Sequence, residues 1–140
     1  LNQAAKYARM SLAALPKAKM PEGHDDRSWR ETLNAYYFLA HYTIGVAAYE
    51  NNNFEQAISS LENALKFDRR SDISYYYIGM SHWRMNRLQP AMLNLAKAEI
   101  LKGAVAEAAK QNLEQLFKSS RRGSLEGIEN VRARAREELK

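Results

Sequence analysis

The chain has no cysteine, only 3 prolines and 6 glycines in 140 residues. Nor does any apolar run approach the ~18 residues that a membrane-spanning helix needs. Without cysteine there is no disulfide scaffold, no thiolate metal ligand and no thiol nucleophile. Alternating runs rich in Val, Ile and Thr are also missing, which argues against a sheet. Charge of one sign is not in great excess, since 21 Lys+Arg against 16 Asp+Glu leaves +5. What is present is 46% hydrophobic and 26% charged, the balance of one compact domain or a short repeat array. These proportions imply an all-α chain that acts by binding rather than by catalysis.

The charge is unevenly spread. Residues 1–37 hold 6 basic and 4 acidic side chains, residues 38–117 hold 8 and 8, and residues 118–140 hold 7 and 4. A nucleic-acid binder usually carries a basic stripe on its main surface. Here the middle is neutral. Arg132 and Arg136 share a helical face, Arg134 points nearly opposite, and Glu129, Glu137 and Glu138 are interleaved with them. That pattern reads as a solvated, ion-paired helix face, with nucleic-acid binding through the basic ends as the weaker alternative. Leu1 opens directly on the helical pattern Ala4, Tyr7, Ala8, Ser11, Leu12, Leu15, so the chain reads as a segment of a longer protein. No targeting signal is visible, and the compartment stays open.

Sliding the sequence by 34 positions lays residues 38–71 over 72–105. Tyr42 meets Tyr76, Ile44 meets Ile78, Gly45 meets Gly79 and Asn52 meets Asn86. Ala57 then meets Ala91, Leu61 meets Leu95 and Ala64 meets Ala98. Glycine in mid-helix costs ~1 kcal/mol against alanine, so Gly45 and Gly79 need a packing reason. Two helices that approach closely supply one. Period and small-residue placement together resemble the tetratricopeptide repeat (TPR), whose pattern joins W-x2-L-G-x2-Y to A-x3-F and a closing Pro. Departures occur at the Trp place (His41, Tyr75), the Tyr place (Ala48, His82) and the closing Pro (Arg69, Gly103, the latter a helix-ending residue).

The resemblance implies a right-handed α-solenoid of antiparallel helix pairs, about seven helices in all, and the pattern resembles bacterial TPR proteins in which a Pro-rich turn and a Trp precede a lengthened first helix. Residues 38–71 and 72–105 are the two full repeats. Ala4, Ala8, Ser11 and Pro16 match Ala57, Leu61, Ala64 and Arg69, so residues 1–15 read as the second helix of a partial repeat. Residues 16–37 hold a 19-residue insertion and the extension of the next helix. Ser28-Trp29-Arg30-Glu31 fits a capping box, predicting a helix from about Trp29 to Asn51. Residues 106–140 read as capping helices, with Gly123-Ser124 starting the last one. The alternative is that Leu125, Ile128, Val131 and Leu139 form a self-association stripe.

In a TPR array the first helices line a concave face. The resemblance therefore places Leu39, Tyr42, Val46, Tyr49, Glu50 and Asn53 there, followed by Ile73, Tyr76, Met80, Trp83, Arg84 and Arg87. The groove expected to capture a protein or peptide comprises Tyr42, Val46, Tyr49, Tyr76, Met80, Trp83, Arg84 and Arg87, because Tyr, Trp, Met and Arg dominate interface cores. The competing role for aromatics at helical spacing is core packing, assigned here to Tyr75 and Tyr77. Chaperone-tail clamps of this family use Lys and Asn, where this chain has Tyr42, Val46, Tyr76 and Met80. A structural element stacking on subunits of a larger complex, or a homo-oligomer, is the other reading.

Catalysis and cofactors find little to work with. His24, His41 and His82 are the only side chains suited to proton transfer near neutrality, and spacing predicts that His41 and His82 do not converge on one metal. No phosphate-binding Gly loop, HExxH or GxSxG is present. No cofactor, metal or small-molecule substrate is expected.

Overall fold

The computed structural model describes residues 1–140. It contains seven α-helices and no strand, and no helix is long and apolar enough to cross a membrane. The chain divides into two compact units, Leu1–Arg69 and Arg70–Lys140.

The first unit holds α1 (Asn2–Ala14), a 3-10 turn at Leu15–Lys17, α2 (Asp26–Glu50) and α3 (Phe54–Leu65). Helix α2 starts three residues before the position predicted from Ser28. Asp25 is the N-cap: its carboxylate accepts from the Ser28 backbone N–H at 2.7 Å, while Ser28 Oγ accepts from Asp25 N–H at 3.2 Å. Both side chains thus satisfy amides that the helix leaves unpaired. These bonds also hold the Asp25 carboxyl below the usual carboxylate range. Trp29 therefore lies inside the first turn rather than at the start.

Gly45 explains how α2 meets α3. A Cβ there would stand 2.6 Å from Leu61 Cγ and 3.3 Å from the Ala57 carbonyl oxygen. The turn between the helices uses Asn52 at φ 60°, a left-handed conformation that Asn tolerates better than most residues. Ala57, Leu61 and Ala64 are completely buried beneath α2. On the neighbouring side of α2, Ala40 and Ile44 bury Ala8, with Leu12 packed against them.

The second unit repeats this hairpin with α4 (Asp72–Arg84) and α5 (Leu88–Ile100). A Cβ on Gly79 would stand 2.9 Å from Leu95 Cγ and 3.2 Å from the Ala91 carbonyl oxygen, and Asn86 takes φ 58° in the turn. Helices α6 (Ala106–Ser120) and α7 (Ile128–Glu138) then both pack on α5. Their Leu113, Leu116, Phe117, Ile128 and Ala135 join Ala91, Met92, Leu95 and Ala96 in one core. Leu125 and Val131 pack against that core as well. Most of the stripe read as a possible self-association face is thus turned into its own unit.

Two further helix boundaries differ from the sequence reading. Helix α7 begins at Ile128, capped by Gly127 at φ 91°, and Ser124 instead holds a turn by accepting from Glu126 N–H at 3.0 Å. After α5 the left-handed residue is Lys102 at φ 55°, not Gly103. Gly103 is small because the Asp72 carboxylate occupies the space a side chain would need. That carboxylate accepts from Val105 N–H at 3.3 Å, tying the start of α4 to the end of α5.

Candidate functional site

The residues predicted to line a groove fall into both units, and within each they are drawn into packing to different degrees. In the first unit Tyr42 stacks on Phe38 (ring centroids 5.8 Å apart) and Tyr49 meets Phe54 edge-on at 5.7 Å. Both are half-buried, as is Val46. In the second unit Tyr76, Met80 and Trp83 pack against the core shared by α5, α6 and α7. Asn112 of α6 donates to Tyr76 Oη at 3.0 Å and lies 3.6 Å from Met80 Sδ. Tyr75 and Tyr77 are half-buried too, Tyr75 with the Lys97 ammonium 5.4 Å above its ring. Arg84 and Arg87, at the α4–α5 turn, are exposed. Amphipathic α6 thus contributes to burying a face that the repeat pattern alone leaves to solvent.

A different concavity is present in the first unit. Helix α1, the 3-10 turn and α2 enclose a groove of about 670 Å³ lined by Ala4, Tyr7, Ala8, Ser11, Ala14, Leu15, Lys17, Ala18, Tyr36, Leu39, Ala40 and Thr43. It follows from helical spacing. Ala5, Ala8 and Leu12 form one face of α1, and Ala5 and Ala8 are buried there. Ala4, Tyr7, Ser11 and Ala14 form the adjoining face. On α2 the spacing of Tyr36, Leu39 and Thr43 sets the opposite wall. Tyr7, Tyr36 and Leu39 remain 57%, 53% and 56% exposed. The floor is made of small side chains and the rim of large ones.

Of these residues only Leu39 stood among the predicted groove positions. A signal for the rest was available: Ala4, Ala8 and Ser11 share the register of Ala57, Leu61 and Ala64, which α2 covers completely. Sequence alone did not reveal that the corresponding face of α1 is left half open.

The C-terminal arginines are held by carboxylates. Arg132 donates through Nε and Nη2 to both oxygens of Glu99 (2.9 and 3.0 Å) and through Nη1 to Glu129 at 2.7 Å, with Glu114 3.6 Å away. The Glu99 hydrogen bonds raise the Arg132 pKa above its ordinary value. Its side chain is only 13% exposed, so this is an interior clamp of α7 on α5 rather than the solvated face expected from the sequence. Arg134 pairs with Glu138 at 3.0 Å and Arg136 reaches Glu129 at 3.8 Å. Lys97 donates to Glu138 at 2.7 Å, which with Arg134 keeps that carboxyl below its usual range. In the first unit, burial pushes the His41 imidazole below its usual pKa, and Lys66 adds to the shift. Its ring stacks on Phe67 at 5.9 Å, while Tyr37 stacks on the same phenyl at 4.9 Å. No family model matches the chain, and no curated protein or solved structure matches it.

Proposed function

We propose that this chain is a non-enzymatic protein-interaction domain whose binding face is the apolar groove of α1, the 3-10 turn and α2. The observation that carries the reading is the grouping of Tyr7, Tyr36 and Leu39, each more than half exposed, around a small-residue floor. Single exposed apolar side chains are ordinary on any protein. A contiguous set around a concavity is the usual mark of a partner site. Burying each anchor contributes roughly 1.5–3 kcal/mol, against an association cost of roughly 4–15 kcal/mol. Three anchors, at most about 9 kcal/mol together, therefore give only weak capture, on the order of millimolar, and a tighter partner must add contacts beyond them.

The resemblance to the tetratricopeptide repeat supports the same class of function. On that reading α2–α3 and α4–α5 are successive repeats, α1 is the second helix of a partial one, and α6 and α7 close a right-handed solenoid. A second surface, within residues 70–140, is offered by Arg84 and Arg87, which are exposed at the α4–α5 turn. Nucleic-acid binding is disfavoured because Arg132, Arg134 and Arg136 are engaged by carboxylates.

Selection from a displayed peptide library tests the reading. Selected peptides are expected to bind the intact chain and to lose at least tenfold in affinity on Leu39→Asp or Tyr36→Asp, but not on the double change Arg84→Ala, Arg87→Ala. Selected binders that are indifferent to Leu39→Asp would overturn the groove assignment.

A further inference from the structure

We propose that Ser124, in the loop between α6 and α7, is a phosphorylation site for a serine kinase that selects arginine, and that the phosphate neutralises the basic surface of that loop. The site stands apart from the α1–α2 groove and does not depend on it.

The loop reads Ser120-Arg121-Arg122-Gly123-Ser124-Leu125-Glu126. Arginines stand three and two residues before Ser124, and a leucine follows it. No other serine of the chain has arginine at both places. Kinases choose substrates largely by charge pattern. A kinase cleft with carboxylates on the N-terminal side of the acceptor and an apolar pocket just after it complements this series, because arginine pairs with carboxylates in a two-pronged geometry.

The structure supplies the access that a sequence match lacks. Residues 118–124 are all exposed. Arg121 and Arg122 belong to no ion pair, whereas Arg132, Arg134 and Arg136 are engaged by carboxylates. Arg121 lies over the Phe117 ring at 5.6 Å. The loop's main-chain bonds are local: Gly123 N–H donates to the Lys118 carbonyl at 2.8 Å and Ser124 N–H to that of Arg121 at 3.1 Å. Ser124 Oγ accepts from Glu126 N–H at 3.0 Å. A segment held by so few exposed bonds opens without unfolding its unit, and so can extend into a kinase cleft. Ser71 is the built-in contrast. It also follows two arginines, Arg69 and Arg70, but it is 5% exposed and caps α4 by accepting from Ser74 N–H at 3.3 Å.

The donor is the γ-phosphoryl group of a kinase-bound nucleoside triphosphate. A bond forms between Ser124 Oγ and the γ-phosphorus, and the bond from that phosphorus to the β,γ-bridging oxygen breaks. The nucleoside diphosphate leaves, and the hydroxyl proton passes to the kinase's carboxylate base. The new group carries about −1.5 to −2 charges near neutrality. Three cations, Lys118, Arg121 and Arg122, against one carboxylate, Glu126, leave the loop at +2, which the phosphate largely cancels. It also stands just before α7, where Gly127 offers no side-chain cap and the helix dipole favours an anion. The fold therefore accommodates the modified residue.

The folded 140-residue chain, incubated with ATP and the catalytic subunit of cyclic-AMP-dependent protein kinase as an arginine-directed probe, tests the proposal by intact mass and peptide mapping. A single phosphoryl group is expected, on Ser124 and not on Ser71, and Ser124→Ala should abolish it. Arg121→Ala with Arg122→Ala should lower kcat/KM at least tenfold while leaving the circular dichroism of the chain unchanged. A folded chain left unmodified at Ser124, under conditions that phosphorylate the isolated peptide 118–128, would overturn the proposal. So would equal labelling of Ser71 and Ser124, the mark of a kinase acting on unfolded chain. Labelling of Ser124 that ignores the loss of both arginines would overturn it as well.

Discussion

Residues 1–69 and residues 70–140 contain the same hairpin and complete it differently. In both, a mid-helix glycine lets two helices touch, an Asn at positive φ turns the chain, and an Ala-Leu-Ala series lies buried beneath. In the second unit α5 then receives α6 and α7, and nine buried residues merge into one core. In the first unit α2 receives α1, which buries only Ala8, Ala40 and Ile44 in that cluster. One hairpin is sealed by its neighbours and the other keeps an apolar groove. The lesson is that repeat identity sets the hairpin, whereas the elements added beside it decide where binding surface is left over.

Phe117→Ala should break the sealed side most severely. Phe117 is among the largest fully buried side chains, so the substitution is expected to cost about 3–5 kcal/mol in residues 70–140. The chain has two tryptophans, Trp29 in one unit and Trp83 in the other. Thermal melts of Trp29→Phe and Trp83→Phe backgrounds therefore report the units separately, and the loss should register through Trp83. Arg132→Met comes next. Removing the guanidinium strands the Glu99 carboxylate against α7 and should destabilise the same unit by about 1–3 kcal/mol.

Gly45→Ala and Gly79→Ala sharpen the likeness between the units. Alanine gains ~1 kcal/mol of helix propensity, but its Cβ meets buried Leu61 or Leu95 at under 3.0 Å, and overpacking typically costs about 1–3 kcal/mol. A net loss of similar size is expected in each hairpin, read by the same two melts. A smaller, opposite contrast lies in pH. His41 has its pKa depressed from 6.5 by burial, so the unfolded chain binds that proton first as pH falls. Stability of residues 1–69 should decline below pH 6.5 and level off once folded His41 also protonates, with a slope of at most about 1.4 kcal/mol per pH unit. His41→Gln should flatten it. Residues 70–140 should instead weaken as pH falls below 4.5, where the unfolded chain's Glu138 takes up a proton that Lys97 and Arg134 still keep off the folded carboxylate.

Much of the fold was legible because its determinants are local or periodic. Gly45, Gly79, Asn52 and Asn86 each meet a backbone requirement that few other residues satisfy, so their recurrence revealed both hairpins. Helix starts were less legible. Asp25 and Ser28 both suit an N-cap, and only the reciprocal bonds between them decide which one caps. Gly127 displaced Ser124 for a different reason: the entry to α7 takes φ 91°, which glycine adopts freely, while Ser124 accepts from Glu126 N–H in the preceding turn. The site was least legible. Tyr76, Met80 and Trp83 carry the residue types of a binding surface, but packing with α6 gives them core roles. Tyr7 and Tyr36 look like ordinary helix residues until α1 and α2 are set side by side.

Hydroxyl-radical footprinting of the tyrosines, with and without a saturating groove-binding peptide, tests the central claim most directly. Tyr7 and Tyr36 should be modified rapidly in the free chain and strongly protected in the complex, while Tyr76, covered by Asn112, should react slowly in both. Unprotected Tyr7 and Tyr36 at saturation, with protection falling elsewhere, would contradict the account.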